Sequence, residues 1–201
     1  MSSPARFGAL GESLADAQRR KVDTLLDATG VGLGSRVLEI GTGWGTLAVR
    51  AAQRGATVTT LTLSEEQAVV ARERAQRAGV AGRVDVQLRD YRDVEGRYDA
   101  IVSVEMIEAV GAEYWTTYFR TLDRALAPGG KVGVQAILLE HERMLATLDQ
   151  YTWISKYIFP GGALPSLRAI EEIVRDHTRM RVDQVEAFGA DYARTLRAWR
   201  E

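Results

Sequence analysis

The chain has 201 residues, 46% of them apolar and 26% charged, which suits one soluble domain large enough to bury a full α/β core. A formal charge of −1 provides no overall basic field for nucleic acid or an anionic membrane, and the lack of cysteine excludes disulfides and thiolate metal sites. The N-terminus is too polar and glycine-rich for a signal peptide and no apolar run nears the ~20 residues that span a bilayer, so a cytoplasmic protein is expected.

Residues 1–201 read as a single domain, opening with a loose tail over 1–11. From Glu12 to about Ala28, Leu14, Val22, Leu25 and Leu26 share one side of a predicted helix. Gly30, Gly32 and Gly34 end it and lead into Arg36–Ile40, a short buried-strand pattern. A glycine loop from Gly41 to Gly45 precedes a helix from Thr46 to about Arg54. Thr57–Leu61 is β-rich, and Ser64-Glu-Glu-Gln67 resembles a helix N-cap with its capping-box glutamine, the helix running on to Ala78. Val84–Leu88 and Tyr98–Val104 read as strands, with Asp99 structural. Glu113–Leu126 is helical, its Trp115, Tyr118, Phe119 and Leu122 at core spacing, and Pro128-Gly-Gly130 turns the chain into a strand from Lys131 to Leu138.

Residues 139–164 are too many for a plain connection, and they read as a substrate cover outside the carboxyl ends of the strands. Their Tyr151, Trp153, Ile154, Tyr157, Ile158 and Phe159 suit the lining of a pocket for an apolar substrate and, equally, a helix packed on the core. A helix from Ser166 to about His177, a strand from Arg179 to Phe188 and a helix from Ala190 complete the pattern. This alternation predicts an α/β, doubly wound, mostly parallel Rossmann-like sheet with a helical insertion.

The strongest local signal is Glu39-Ile-Gly41-Thr42-Gly43-Trp-Gly45. Glycines after a first strand admit a ligand close to the backbone, and the helix that follows offers its first amides. A dinucleotide fingerprint needs glycine at position 46, where this chain has threonine. The GxGxG spacing instead suits a nucleoside without diphosphate, and the acid two residues earlier can hold a ligand α-amino group; the bland alternative is a tight turn with no ligand. Further candidates lie at successive strand ends: Thr62 and Gln67 after the second, Asp90 and Tyr91 after the third. Asp90 can accept from an adenine amine and Tyr91 offers a stacking face, although each is ordinary for a polar strand end. A nucleoside that carries an amino group and no diphosphate is the ligand class this set fits.

Leu38-Glu-Ile-Gly-Thr-Gly-Trp-Gly45, Leu61-Thr-Leu-Ser-Glu-Glu-Gln67, Asp90-Tyr-Arg92, Val102–Gly111, Lys156-Tyr-Ile-Phe-Pro-Gly-Gly162, Leu164-Pro-Ser166 and Phe188–Leu196 follow one another in order. Together they resemble the cyclopropane fatty acid and mycolic acid cyclopropane synthase family of methyltransferases. The resemblance implies S-adenosylmethionine as methyl donor, the double bond of an unsaturated lipid acyl chain as acceptor, transient contact with a membrane surface, and bound bicarbonate as the base in ring-forming members. It makes Glu108 and Tyr192 catalytic, and it aligns Gln135 with a histidine bicarbonate ligand. Glutamine can donate to an anion but does not titrate near neutrality.

Ala109 stands where many members carry histidine, and the family's cysteine ligand and last sheet strand have no counterpart in this sequence. An unpaired sheet edge would favour a homodimer. The expectation is therefore slow formation of a methyl or methylene branch rather than a ring. A methyltransferase acting on a small metabolite and a non-catalytic nucleoside-binding paralogue are the alternatives.

Overall fold

A computed structural model describes residues 3–8, 11–148 and 162–200, and at its centre is a five-stranded sheet in the order β3-β2-β1-β4-β5, with every pairing parallel. The strands are β1 (Arg36–Ile40), β2 (Thr57–Thr62), β3 (Val84–Leu88), β4 (Tyr98–Val104) and β5 (Leu126–Gln135). The helices are α1 (Leu14–Ala28), α2 (Thr46–Gln53), α3 (Glu65–Arg77), α4 (Trp115–Ala125), α5 (His141–Leu148), α6 (Leu167–His177) and α7 (Ala190–Arg200). This is the predicted doubly wound arrangement, in which parallel strands are covered on both faces.

Period-two alternation in the central strands decides what each face receives. Leu38 and Ile40 of β1 and Ile101 of β4 join a core with Trp115, Tyr118, Phe119 and Leu122 of α4 and Val174 of α6. Val37, Ala100 and Val102 point the other way, onto Val22 and Leu26 of α1 and Ala48, Ala51 and Ala52 of α2. Glu39, two residues after Val37, therefore falls on the α1–α2 face at the carboxyl end of β1. That placement creates the site.

Several expectations need correction. The chain over 178–188 is irregular rather than a strand from Arg179 to Phe188, and Val182 and Val185 along it are exposed. An extended segment becomes a strand only where a neighbour completes its ladder. Here side chains hold it instead, through Arg179 to Asp123 and Glu186 to Arg6. The last sheet strand is Leu126–Gln135 rather than Lys131–Leu138: Tyr98 pairs with Leu126 and Ala100 with Lys131, so Pro128-Gly-Gly130 forms a bulge inside it.

Residues 3–8, within the expected loose tail, are tied down: Ala5 N donates to Thr195 Oγ1 (3.0 Å) and Phe7 N to Asp191 Oδ2 (3.0 Å), both on α7. Ser64 caps α3 by accepting from Gln67 N (3.1 Å), but the Gln67 side chain turns to Thr62 instead of closing a capping box. The predicted helix from Glu113 begins as a 3-10 turn at Ala112–Tyr114. The aromatic cover residues Tyr151–Phe159 and most of the Lys156–Gly162 motif lie outside the described residues. Among the described residues no helix is long and apolar enough to cross a membrane.

Candidate active site

Beyond the carboxyl ends of β1, β4 and β5 lies a cleft of about 280 Å³. This is where a doubly wound sheet places its ligands, at the point where strand order reverses between β1 and β4. Glu39, Gly41, Thr42 and Gly43 form one wall and Val104, Glu105, Met106 and Glu108 another; Lys21 and Val22 of α1, together with Ser3, close the side, and Gln67 and Ile137 the rim.

The glycine loop divides its labours. Gly43 has φ +50° and a Cβ built there meets nothing within 4 Å, so the missing side chain leaves open the space a ligand would need. Gly45, with φ +77°, caps α2, and a Cβ there would lie 2.8 Å from Ala71 Cα, so this glycine serves helix packing rather than the cleft.

Glu39 is 4% exposed and accepts from the Thr60 hydroxyl at 2.6 Å, while Thr60 lies 2.7 Å from the Thr42 hydroxyl. Burial, only partly offset by Thr60, pushes its carboxyl up to about 8. A buried acid beside an open glycine loop is suited to pair with a cationic group, whose charge would favour its ionisation. Across the cleft, Glu108 is buried, its Oε1 accepts from Ile137 N at 2.6 Å and its Oε2 has no hydrogen-bond partner. Burial raises its carboxyl too.

Glu105 was not anticipated from the sequence. Among the described residues it is the single non-glycine residue with positive φ, at +53°, a conformation that costs such a residue roughly 1–3 kcal/mol. Gln135 Nε2 donates to its Oε1 at 2.9 Å, and Glu105 N donates to Gln135 O at 2.8 Å. Desolvation first, then repulsion from Glu108, brings its carboxyl up to about 7 against the pull of Gln135 and Lys21. A carboxyl so poised can take a proton near neutrality. Lys21, also unanticipated, is 5% exposed and donates to Ser3 Oγ at 2.6 Å.

Of the sequence-predicted residues, the cleft brings together Glu39, Gly41, Thr42, Gly43, Gln67 and Glu108. Thr62 stands behind Gln67, donating to its Oε1 at 2.8 Å, and Gln135 stands behind Glu105. Asp90 and Tyr91 are not among the lining residues: Asp90 binds the Arg92 guanidinium (2.7 and 2.9 Å), and Tyr91 packs edge-on against Tyr118 at 5.4 Å. Tyr192, 38% exposed on α7, is likewise outside the lining. Asp99 is structural as expected, accepting from the backbone and guanidinium of Arg36.

The described ends of the insertion meet beside this site. Leu139 N donates to Pro165 O at 2.9 Å, and Ala163 N donates to Glu108 O at 2.9 Å. A second, wider groove along α1 is lined by Glu12, Asp16, Asp23, Arg19, Arg20 and Arg50, whose charges are paired with one another on the surface. Among the described residues there is no His, Cys, Asp and Glu cluster fit to hold a metal ion.

The model of the family described as mycolic acid cyclopropane synthetase matches residues 2–201. Over 188 residues the chain is 56% identical to tuberculostearic acid methyltransferase UfaA1 of Mycobacterium tuberculosis, covering 94% of this chain and 44% of that protein. It is 39% identical over 193 residues to cyclopropane-fatty-acyl-phospholipid synthase of Escherichia coli, covering 94% of this chain and 47% of that one. The chain thus spans about half the length of the curated relatives it matches. Its fold superposes on mycolic acid cyclopropane synthase CmaA1 complexed with SAH and CTAB with a TM-score of 0.88, at 27% identity, covering 99% of this chain and 73% of that one.

Proposed function

The chain belongs to the mycolic acid cyclopropane synthetase family, and from that premise we propose that it is an S-adenosylmethionine-dependent C-methyltransferase acting on the double bond of an unsaturated lipid acyl chain. The observation that carries this reading is one cleft joining the Glu39–Gly43 loop to the half-buried carboxyl of Glu105 and the buried carboxyl of Glu108. The names of the relatives support the lipid class, and the insertion anchored at Glu108 supports a cover over it.

The residues fit the cofactor. Glu39 as carboxylate would hold the α-ammonium group, the backbone around Gly43 would lie against the methionine part, and Gln67, oriented by Thr62, offers its amide to the polar groups of the nucleoside. Asp90 and Tyr91 at the end of β3 would reach an adenine if Asp90 released one of its Arg92 contacts. When bound, S-adenosylmethionine supplies an electrophilic methyl group, which the acyl double bond takes up with its own electron pair while the C–S pair leaves with sulfur, and a carbon of the chain becomes cationic.

What the protein then contributes is charge and a base. Glu108, buried and half-satisfied, places a negative charge where positive charge develops. Glu105, tethered by Gln135, accepts the proton whose loss gives a methylene branch or a ring. This reading needs no bicarbonate, because the chain carries the base itself. Saturation to a methyl branch needs a hydride donor and belongs to a separate reaction.

The test is to incubate the chain with S-adenosylmethionine and unsaturated phospholipid and to weigh the released acyl chains. A gain of one CH2 per modified chain, lost in Glu105→Gln with cofactor affinity retained, is expected. No modified lipid despite tight S-adenosylhomocysteine binding would favour a small-metabolite substrate or a non-catalytic paralogue.

A further inference from the structure

Three carboxyls face the cleft, Glu39, Glu105 and Glu108, and among the described lining residues Lys21 is the single cation. It sits on the helical run Arg19-Arg20-Lys21, but unlike its two neighbours it turns inward and is 5% exposed. Its ammonium donates to Ser3 Oγ at 2.6 Å, and Ser3 is fixed in turn because its carbonyl accepts from Gln18 Nε2 at 2.8 Å. Ser3 itself is 9% exposed and lines the same cleft. A lysine buried beside a single hydroxyl is costly to desolvate, and one hydrogen bond leaves two of its three N–H donors for something else.

The ligand proposed above has an amino-acid end that is a zwitterion. Its ammonium group is matched by Glu39, but its carboxylate would be repelled from every other charged group in the cleft except Lys21. The start of α2 favours the same placement: Thr46 and Leu47 line the cleft, and no side chain caps that helix N-terminus.

We infer that Lys21, oriented by Ser3, is the binding residue for the α-carboxylate of the cofactor, so that Glu39 and Lys21 together read its amino-acid end as a zwitterion. This rests on the cofactor assignment above. Glu105 lies close enough to attract Lys21 electrostatically, and carboxylate binding would let the lysine serve the ligand while Glu105 stays free to exchange its proton. Lys21 is thus a recognition residue for the cofactor, with no part in the bonds that change.

A ligand-by-variant titration tests it. S-adenosylhomocysteine, its decarboxylated amine analogue and 5′-methylthioadenosine are titrated calorimetrically into the wild type, Lys21→Met and Lys21→Arg. Wild type should lose at least tenfold in affinity when the ligand loses its carboxylate. Lys21→Met should bind S-adenosylhomocysteine at least tenfold more weakly, bind the decarboxylated analogue as wild type does, and leave 5′-methylthioadenosine unaffected; Lys21→Arg should recover part of the loss. Equal weakening toward both amino-bearing ligands, or no weakening toward either, overturns the assignment. If Lys21→Met does not fold, Ser3→Ala and Lys21→Arg in the same comparison decide it, because each must narrow the gap between the two ligands. Failure of all three ligands to bind wild type would instead refute the cofactor reading, and this inference with it.

Discussion

Glu39 allows the electrostatics of the cleft to be tested through pH alone. Burial keeps its carboxyl protonated up to about pH 8, whereas pairing with an ammonium group requires the carboxylate. Ionising it at pH 6 costs about two pKa units, or about 2.7 kcal/mol, which is ~100-fold in affinity. S-adenosylhomocysteine should therefore bind about tenfold more tightly per pH unit from pH 6 towards 8 and then level off, releasing close to one proton per ligand at pH 7. Lys21, drawn down to about 8, is largely protonated from pH 6 to 7 and half deprotonated at pH 8, which takes back about twofold of the gain at the upper end and leaves the rise visible.

Calorimetry in two buffers of different ionisation enthalpy counts the protons directly. Glu39→Gln should bind more weakly at pH 8 and lose the rise between pH 6 and 8. The same burial acts on stability: with an ordinary value of 4.5 and a folded value of about 8, Glu39 keeps a proton that the unfolded chain has released. Its contribution is thus lost as pH rises from about 4.5 to about 8, and the variant should lack that slope. Equal affinity at pH 6 and pH 8 with no proton released would refute the reasoning.

Glu108→Gln keeps an acceptor for Ile137 N–H, so cofactor affinity should stay within about threefold while turnover falls roughly 10²–10³-fold, read from kcat and a separate binding titration. Gly43→Val puts a branched side chain at φ +50° and into open cleft, so S-adenosylhomocysteine binding should disappear while the circular dichroism spectrum is kept, at a stability cost of roughly 1–3 kcal/mol. Leu122→Ala opens a cavity at a fully buried position beneath α4, and urea unfolding should show a loss of roughly 2–5 kcal/mol with cofactor affinity little changed.

The fold was legible because each βα unit carries its own punctuation: an apolar run, then glycine or a capping serine, then a helical stripe such as Trp115, Tyr118, Phe119 and Leu122. Val182 and Val185 alternate as a strand would, but alternation says nothing about whether a neighbouring ladder exists. The glycine-loop wall of the cleft was legible for the same reason, since the spacing from Glu39 to Gly43 directly encodes a backbone shape. Lys21 and Glu105 were not. In sequence Lys21 continues a basic run that reads as a solvated helix face, and only the packing of residues 3–8 against α1 and α7 buries it. Glu105 looks like one more residue after a strand; its left-handed backbone and its partner Gln135, thirty residues on, come from tertiary structure.

The most direct test of Glu105 as the built-in base is transfer of labelled methyl from S-adenosylmethionine to unsaturated phospholipid in buffer stripped of bicarbonate, compared with the same buffer replenished. Label should appear in the acyl chains at equal rates in both, as a branch or ring formed by loss of a proton, and Glu105→Gln should abolish it in both. Transfer that requires added bicarbonate, or that proceeds undiminished in Glu105→Gln, would contradict it.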